Sequence, residues 1–141
     1  MKALALQAKP DVAFVLEGIL ATDYPQTIAE EEGESALGKG PNLVFHDDSM
    51  LANPRLLDWC TDIAEEAGIP YQRTPAFGSN NAGEVHIQSG GIPTIVFGVP
   101  CRYIHAPNGL LHLDDFHNAV KLLTLLVRRL DDATLGRITD V

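Results

Sequence analysis

A carboxylate and an imidazole arriving from two different strand ends make a reasonable start to a divalent-metal site, because zinc accepts both oxygen and imidazole nitrogen at roughly 2.0–2.2 Å. Glu17 closes the apolar run at residues 12–16, and His105 stands in the segment Cys101-Arg102-Tyr103-Ile104-His105 that follows the last apolar run. Two ligands are not yet a site. The plainer reading makes Glu17 a carboxylate in water or paired with Arg102, and His105 a loop histidine bonded to backbone. Residue types without further company favour that plainer reading.

The other reactive side chains carry less. His46 sits beside Asp47 and Asp48, a metal-friendly trio by type, yet adjacent residues rarely point at one centre without a turn to gather them. A solvated turn is expected there. His86 and His117 fall on the polar faces of expected helices, and His112 precedes the last one as part of its cap. The separation of Cys101 and His105 does not by itself make a thiol dyad. The chain has no Gly-x-Ser-x-Gly elbow, Walker loop, His-Glu-x-x-His or dinucleotide fingerprint, so serine nucleophiles and nucleotide binding have no support in it.

These residues need elements to hold them. The run Val12-Ala13-Phe14-Val15-Leu16 is too continuous for a half-exposed strand and predicts one covered on both faces, ending at Glu17-Gly18. A second apolar stretch, residues 42–45, stops at His46-Asp47-Asp48-Ser49. Asn53-Pro54 opens a helix whose apolar face is Leu56, Leu57, Cys60, Ile63, Ala64 and Ala67, with Gly68 as its stop. Asn81-Ala82-Gly83-Glu84 predicts a short capped helix to about Ser89. Residues 93–99 read as another covered strand. Leu113, Phe116, Val120, Leu123, Val127 and Leu130 recur at spacings of three and four, which predicts a strongly amphipathic last helix. Strands alternating with helices imply an α/β fold, a three-layer arrangement with a largely parallel or mixed sheet and flanking helices. In such sheets ligands sit beyond the carboxyl ends of the strands, where Glu17 and residues 101–105 are expected to meet.

The 141 residues are one domain's worth of chain, and 45% hydrophobic against 21% charged residues suffices for a real core. Ten Lys and Arg against 19 Asp and Glu leave a net charge of −9. That surplus repels phosphate backbones, which argues against nucleic acid and anionic membrane surfaces as partners. The longest apolar runs are too short to span a bilayer. Residues 1–8 imitate a signal peptide but run into Lys9-Pro10-Asp11 and read as ordinary protein. The glutamate-rich residues 30–34 read as a solvated loop. Cys60 and Cys101 lack metal-knuckle spacing and fit free thiols in a reducing, cytoplasmic setting.

The string Gly91-Ile92-Pro93-Thr94, followed by Val99-Pro100-Cys101-Arg102-Tyr103-Ile104-His105-Ala106-Pro107, closely resembles the C-terminal catalytic segment of the glutamyl (tetrahedral, deblocking) metallo-aminopeptidases, some of which carry the name endoglucanase. Pro10-Asp11, Leu16-Glu17-Gly18, Asp23-Tyr24-Pro25, Gly38-Lys39-Gly40-Pro41, Gly68-Ile69-Pro70-Tyr71-Gln72 and Asn118-Ala119-Val120-Lys121-Leu122-Leu123 fall in the family's order. The resemblance covers essentially the whole chain and implies that residues 1–141 are the C-terminal part of a zinc-peptidase-like catalytic domain. It further implies a peptide substrate and a water activated by two metals, zinc or cobalt. One metal would be bound at the position of Glu17, where many members have Asp, and the other by His105. Metals about 3.5–4 Å apart both activate the water and hold the carbonyl oxygen, which is why the chemistry needs two.

The chain departs from the family in informative places. Ser79-Asn80-Asn81-Ala82 stands where Gly-Thr-Asp-Ala is usual, Gly109 replaces an acidic residue, and His112 replaces an Asp. The match begins after the family's catalytic Glu-Glu pair, so the other metal-binding histidine, the bridging aspartate, the general base and the small assembly domain have no counterpart. The metal site is therefore expected to be incomplete and the chain inactive alone. Its expected partners are a missing N-terminal half or a partner chain, and further copies of itself in a homo-oligomer, since a truncated sheet leaves an open edge. A noncatalytic remnant serving as an assembly or interaction module is the alternative.

Overall fold

The computed structural model describes residues 1–25 and 34–139. Its elements in chain order are α1 (Lys2–Ala8), β1 (Ala13–Leu20), β2 (Asn42–Asp47), β3 (Met50–Leu51), α2 (Pro54–Glu66), β4 (Gln72–Pro75), α3 (Asn81–His86), β5 (Thr94–Arg102), β6 (Leu110–Leu111), α4 (Leu113–Arg129) and α5 (Asp132–Thr139). The sheet runs β1-β5-β2-β3, with β4 also on β2 and β6 also on β5. β1 lies parallel to β5 and β4 parallel to β2, while β2 is antiparallel to β5. The expected α/β layering with a mixed sheet is what the chain adopts. Apart from Glu34, which is exposed, the glutamate-rich loop lies outside the described residues.

Side chains alternate across a strand, so β1 presents two different surfaces. Ala13 packs against the small cluster of Ala5, Val85 and Ile92, and Glu17 reaches Asn81, which puts α1 and α3 on that face. Helices α4 and α5 each pack on α2 as the other layer, α2 along β2 and α4 along β5. Between the layers lie Leu43, Val44, Leu56, Ile95, Val96, Leu122 and Leu126, all fully buried.

The α2 helix follows its sequence. Asn53 Oδ1 accepts from the Leu56 amide at 3.0 Å, Pro54 fills the first turn, and Leu56, Leu57, Cys60, Ile63 and Ala64 are buried. Gly68, with φ 62°, turns the chain out of the helix. Ala67, expected on the apolar face, is exposed at the helix end.

Three expectations need correction. β1 does not stop at Glu17-Gly18: it continues to Leu20 because Glu17 and Gly18 pair with Gly98 and Val99 of β5. Its interior partner, not its local polarity, sets its length. The cap of α3 is Asn80, whose Oδ1 accepts from the Ala82 amide at 2.8 Å, and Asn81 is the first helical residue. On α4 the periodic stripe Leu113, Phe116, Val120 and Val127 is exposed, while Asp115, Ala119, Leu122 and Leu126 are buried. A long-range contact decides that orientation. The two carboxylate oxygens of Asp115 accept from the amides of Gly38 and Gly40, each at 2.7 Å.

Candidate functional site

Glu17 and His105 line one cleft, of about 990 Å³. Its walls are β1 from Glu17 to Leu20, residues 75–81 between β4 and α3, and Ile104 with His105 beyond β5. The parallel pairing of β1 and β5 brings the two elements to the same sheet edge, as expected of ligand positions in open sheets.

Glu17 is half-buried, and the Asn81 amide group donates to its Oε1 at 3.4 Å, a long bond. It makes no pair with Arg102. That guanidinium takes Asp23 instead, with Nε donating to Oδ1 at 2.7 Å and Nη2 to Oδ2 at 2.8 Å. The Arg102 hydrogen bonds hold the Asp23 carboxyl below its ordinary value, and the Leu37 amide, at 3.0 Å, adds to the effect. The Arg102 pairing imagined for Glu17 is thus made by Asp23 instead.

His105 is exposed, and among the described residues its ring forms no hydrogen bond or ion pair. Its backbone lies in the left-handed region at φ 65°, and so does that of Tyr103 at φ 58°. Two such residues without glycine's freedom store strain of about 1 kcal/mol or more each, which surrounding contacts must overcome. The contacts are visible. The Asp23–Arg102 pair fixes the end of β5, the rings of Tyr24 and Tyr103 meet at 5.7 Å, and the Ala106 amide donates to the Tyr103 carbonyl at 3.1 Å.

The remaining candidates separate. His46 and Asp48 are exposed, but Asp47 is buried, so the trio is no solvated turn throughout. Asp47 accepts from the Ser49 amide at 2.7 Å, the Ser49 hydroxyl at 2.8 Å and the Asn80 amide group at 2.6 Å. This network joins the β2–β3 turn to the start of α3, one wall of the cleft. The asparagines at 80 and 81 therefore have work of their own, one as a cap and tie, the other against Glu17. His112 caps α4 through Nδ1, 3.2 Å from the Asp114 amide, and His86 Nδ1 lies 3.0 Å from the Gly83 carbonyl. Gly109 is exposed. Cys60 and Cys101 are both free, and burial pushes the Cys60 thiol up. The reading of the sequence missed the Asp23–Arg102 pair and the Asp47 network, although the acid and base types that form them were in view.

As donors, a carboxylate and an imidazole fit part of a divalent-metal shell. Among the described residues no group of three His, Cys, Asp or Glu side chains comes together that would hold a metal ion. Likewise no helix among them is long and apolar enough to cross a membrane.

A family model described as M42 glutamyl aminopeptidase matches residues 1–122. The glutamyl aminopeptidase of Lactococcus lactis is 29% identical over 137 residues, which are 97% of this chain and 37% of that protein. Among solved structures, the TET aminopeptidase from a marine sediment Thaumarchaeota archaeon superposes with a TM-score of 0.92 at 38% identity, covering 98% of this chain and 38% of its own. The Pyrococcus horikoshii TET1 peptidase, described as able to assemble into a tetrahedron or a large octahedral shell, superposes at 0.78 with 29% identity over 92% of this chain and 36% of its own. The chain spans little more than a third of the length of the relatives it matches.

Proposed function

Since the chain belongs to the M42 glutamyl aminopeptidase family, we propose that it forms the C-terminal share of a two-metal aminopeptidase catalytic domain, with the remaining ligands and the general base coming from a polypeptide that completes the fold. The observation that carries this reading is the cleft shared by Glu17 and His105. Glu17 offers a carboxylate held loosely by Asn81, and His105 offers a ring with no competing partner on a turn braced by Asp23 and Arg102. A pair of divalent ions, zinc or cobalt, supplies when bound an acidified water and a Lewis-acid hold on the scissile carbonyl of an N-terminal peptide bond. The chain's own part is to orient two ligands and to wall the cleft with residues 75–81. Without the general base and the bridging ligand the 141 residues alone are inert, since loss of a general base costs about 10²–10⁴ in rate before the missing ligand is considered. Free thiols at Cys60 and Cys101 suit a cytoplasmic protein.

Metal content and hydrolysis of glutamyl- or leucyl-p-nitroanilide test this, measured on the chain alone and after co-expression with the uncovered part of the Lactococcus lactis relative. The completed assembly takes up metal and hydrolyses the substrate. Glu17→Ala and His105→Ala each lower its metal uptake, and His46→Ala does not. Damage from His46→Ala with none from the other two would overturn the assignment. The second reading, a noncatalytic assembly module, is favoured by the altered Asn80-Asn81 pair and by Gly109, the family having acids at the positions of 81 and 109. An inert and metal-free assembly would establish it.

A further inference from the structure

Beyond β5 the chain turns through residues 103–109 and returns as β6, and this turn carries His105 into the cleft. Its second half is bare. Pro107, Asn108, Gly109 and Leu110 are all exposed, and among the described residues the Asn108 side chain makes no hydrogen bond. Gly109 stands one residue short of the β5–β6 ladder, which starts with Leu110 opposite Arg102, and among the described residues its amide donates to no turn or loop carbonyl. An asparagine followed by glycine in such a setting has a reaction open to it. The backbone nitrogen of the second residue can reach the side-chain carbonyl carbon of the first, and glycine, having no Cβ, lets the backbone bend into the five-membered ring. Gly109 also has a reason to stay glycine. A Cβ there would come within 3.1 Å of Cys101 Sγ, so the thiol packed beside the turn disfavours the side chain that would slow ring closure.

The other asparagines are held out of that reaction. Asn42 is fully buried in β2, and Asn53 is followed by Pro54, whose nitrogen carries no hydrogen to lose. Asn80 donates to Asp47 while its Oδ1 accepts from the Ala82 amide, the nitrogen that Asn81 would need, and Asn81 itself donates to Glu17. Asn118 lies within α4, where the Ala119 amide belongs to the helix's own bonding. We infer that Asn108 is a site of spontaneous modification, at which the chain converts a neutral amide into a carboxylate without an enzyme. The Gly109 nitrogen loses its proton and bonds to Cγ of Asn108, the Cγ–Nδ2 bond breaks, and ammonia leaves with that proton. The succinimide so formed takes up water. Opening its bond from nitrogen to Cγ gives aspartate, and opening its bond from nitrogen to the backbone carbonyl carbon gives isoaspartate, whose main chain runs through Cβ and Cγ and is longer by one carbon. Either product makes the molecule one unit more negative than −9. The isoaspartyl form also lengthens the turn that presents His105. Exposure and bonding alone carry this assignment, so it does not depend on the aminopeptidase reading.

Ageing the full 141-residue chain in neutral buffer tests it, with intact-mass measurement and peptide mapping by electron-transfer fragmentation, which tells isoaspartate from aspartate. The expected result is one acidic position, Asn108, with isoaspartate in excess and heavy oxygen incorporated when the buffer water is labelled with it. A synthetic peptide of residues 103–113 sets the unprotected rate, and the folded chain matches that rate to within about fivefold, because opening the fold is not required. Asn108→Gln abolishes the acidic product, and Gly109→Ala slows its appearance at least about tenfold. Asn108 is already exposed, so circular dichroism of Asn108→Gln matches the parent and the readout survives should Gly109→Ala disturb Cys101. Reaction at Asn80, Asn81 or Asn118 ahead of Asn108, a folded chain slower than the peptide by more than that factor, or an acidic product that persists in Asn108→Gln would each overturn the inference.

Discussion

Replacing Asp115 by alanine removes both acceptors from the Gly38 and Gly40 amides at once. Asp115 is 1% exposed, and each of its oxygens receives one amide at 2.7 Å; Gly40 is buried, whereas Gly38 is exposed and its amide can turn to water. The Gly40 amide, a buried donor left without a partner, costs about 1–3 kcal/mol, and part of that returns because a buried carboxylate is no longer desolvated, leaving a net loss of about 1–2 kcal/mol. With a urea m-value of about 2 kcal/mol/M, the unfolding midpoint falls by about 0.5–1 M. Trp59 is the sole tryptophan, packs against the core, and reports the transition by fluorescence. Asp115→Asn is the sharper perturbation. Its side chain keeps one acceptor and turns an NH₂ group towards the other amide, so it loses nearly as much as the alanine despite matching the shape. If both variants unfolded within about 0.5 kcal/mol of the parent, the contact would not be what fixes the helix, and the explanation of which α4 face is buried would fail.

Gly40→Ala is expected to abolish soluble folded protein: a Cβ there would collide with the Pro70 carbonyl while the backbone holds φ at 91°, as expression trials with circular dichroism would show. The Asp23 carboxyl lies below its ordinary 3.8 in the folded chain, chiefly through Arg102, so its contribution is complete above that value and is lost as pH falls through the depressed one. The melting-temperature gap between the parent and Asp23→Asn should therefore be constant from about pH 7 to about pH 5 and narrow below about pH 3; a gap that widens on acidification contradicts the pairing. Thiol labelling of the native chain should modify Cys101 quickly and Cys60 only after unfolding, because burial raises the Cys60 thiol and hides its sulfur. Prompt labelling of both would disprove that.

The legible parts of the fold were those decided within a few residues. Asn53, Pro54 and Gly68 mark the ends of α2 because capping and helix termination are local events. The length of β1 was not legible, since its last residues are strand only by pairing with β5. On α4 two apolar stripes compete at helical spacing, and the choice between them depends on Asp115 meeting a loop 75 residues earlier. The candidate site divides the same way. Placement of Glu17 and His105 at one sheet edge followed from the α/β pattern and from the family resemblance. The partner of Arg102 and the burial of Asp47 did not, because both depend on how loops fold over the sheet.

The pairing of β1 with β5 has a further consequence during synthesis. Ala13 waits for Thr94, 81 residues later in the chain. At about 5–20 residues per second the ribosome needs roughly 4–16 s to deliver that partner. Through this interval the aliphatic stretch around Val15 has emerged without its mate, long enough for chaperones to bind it and for neighbouring nascent chains to pair with it wrongly. Slower codons between the two strands would lengthen the exposure, and a lower growth temperature would weaken the hydrophobic pull that makes it hazardous.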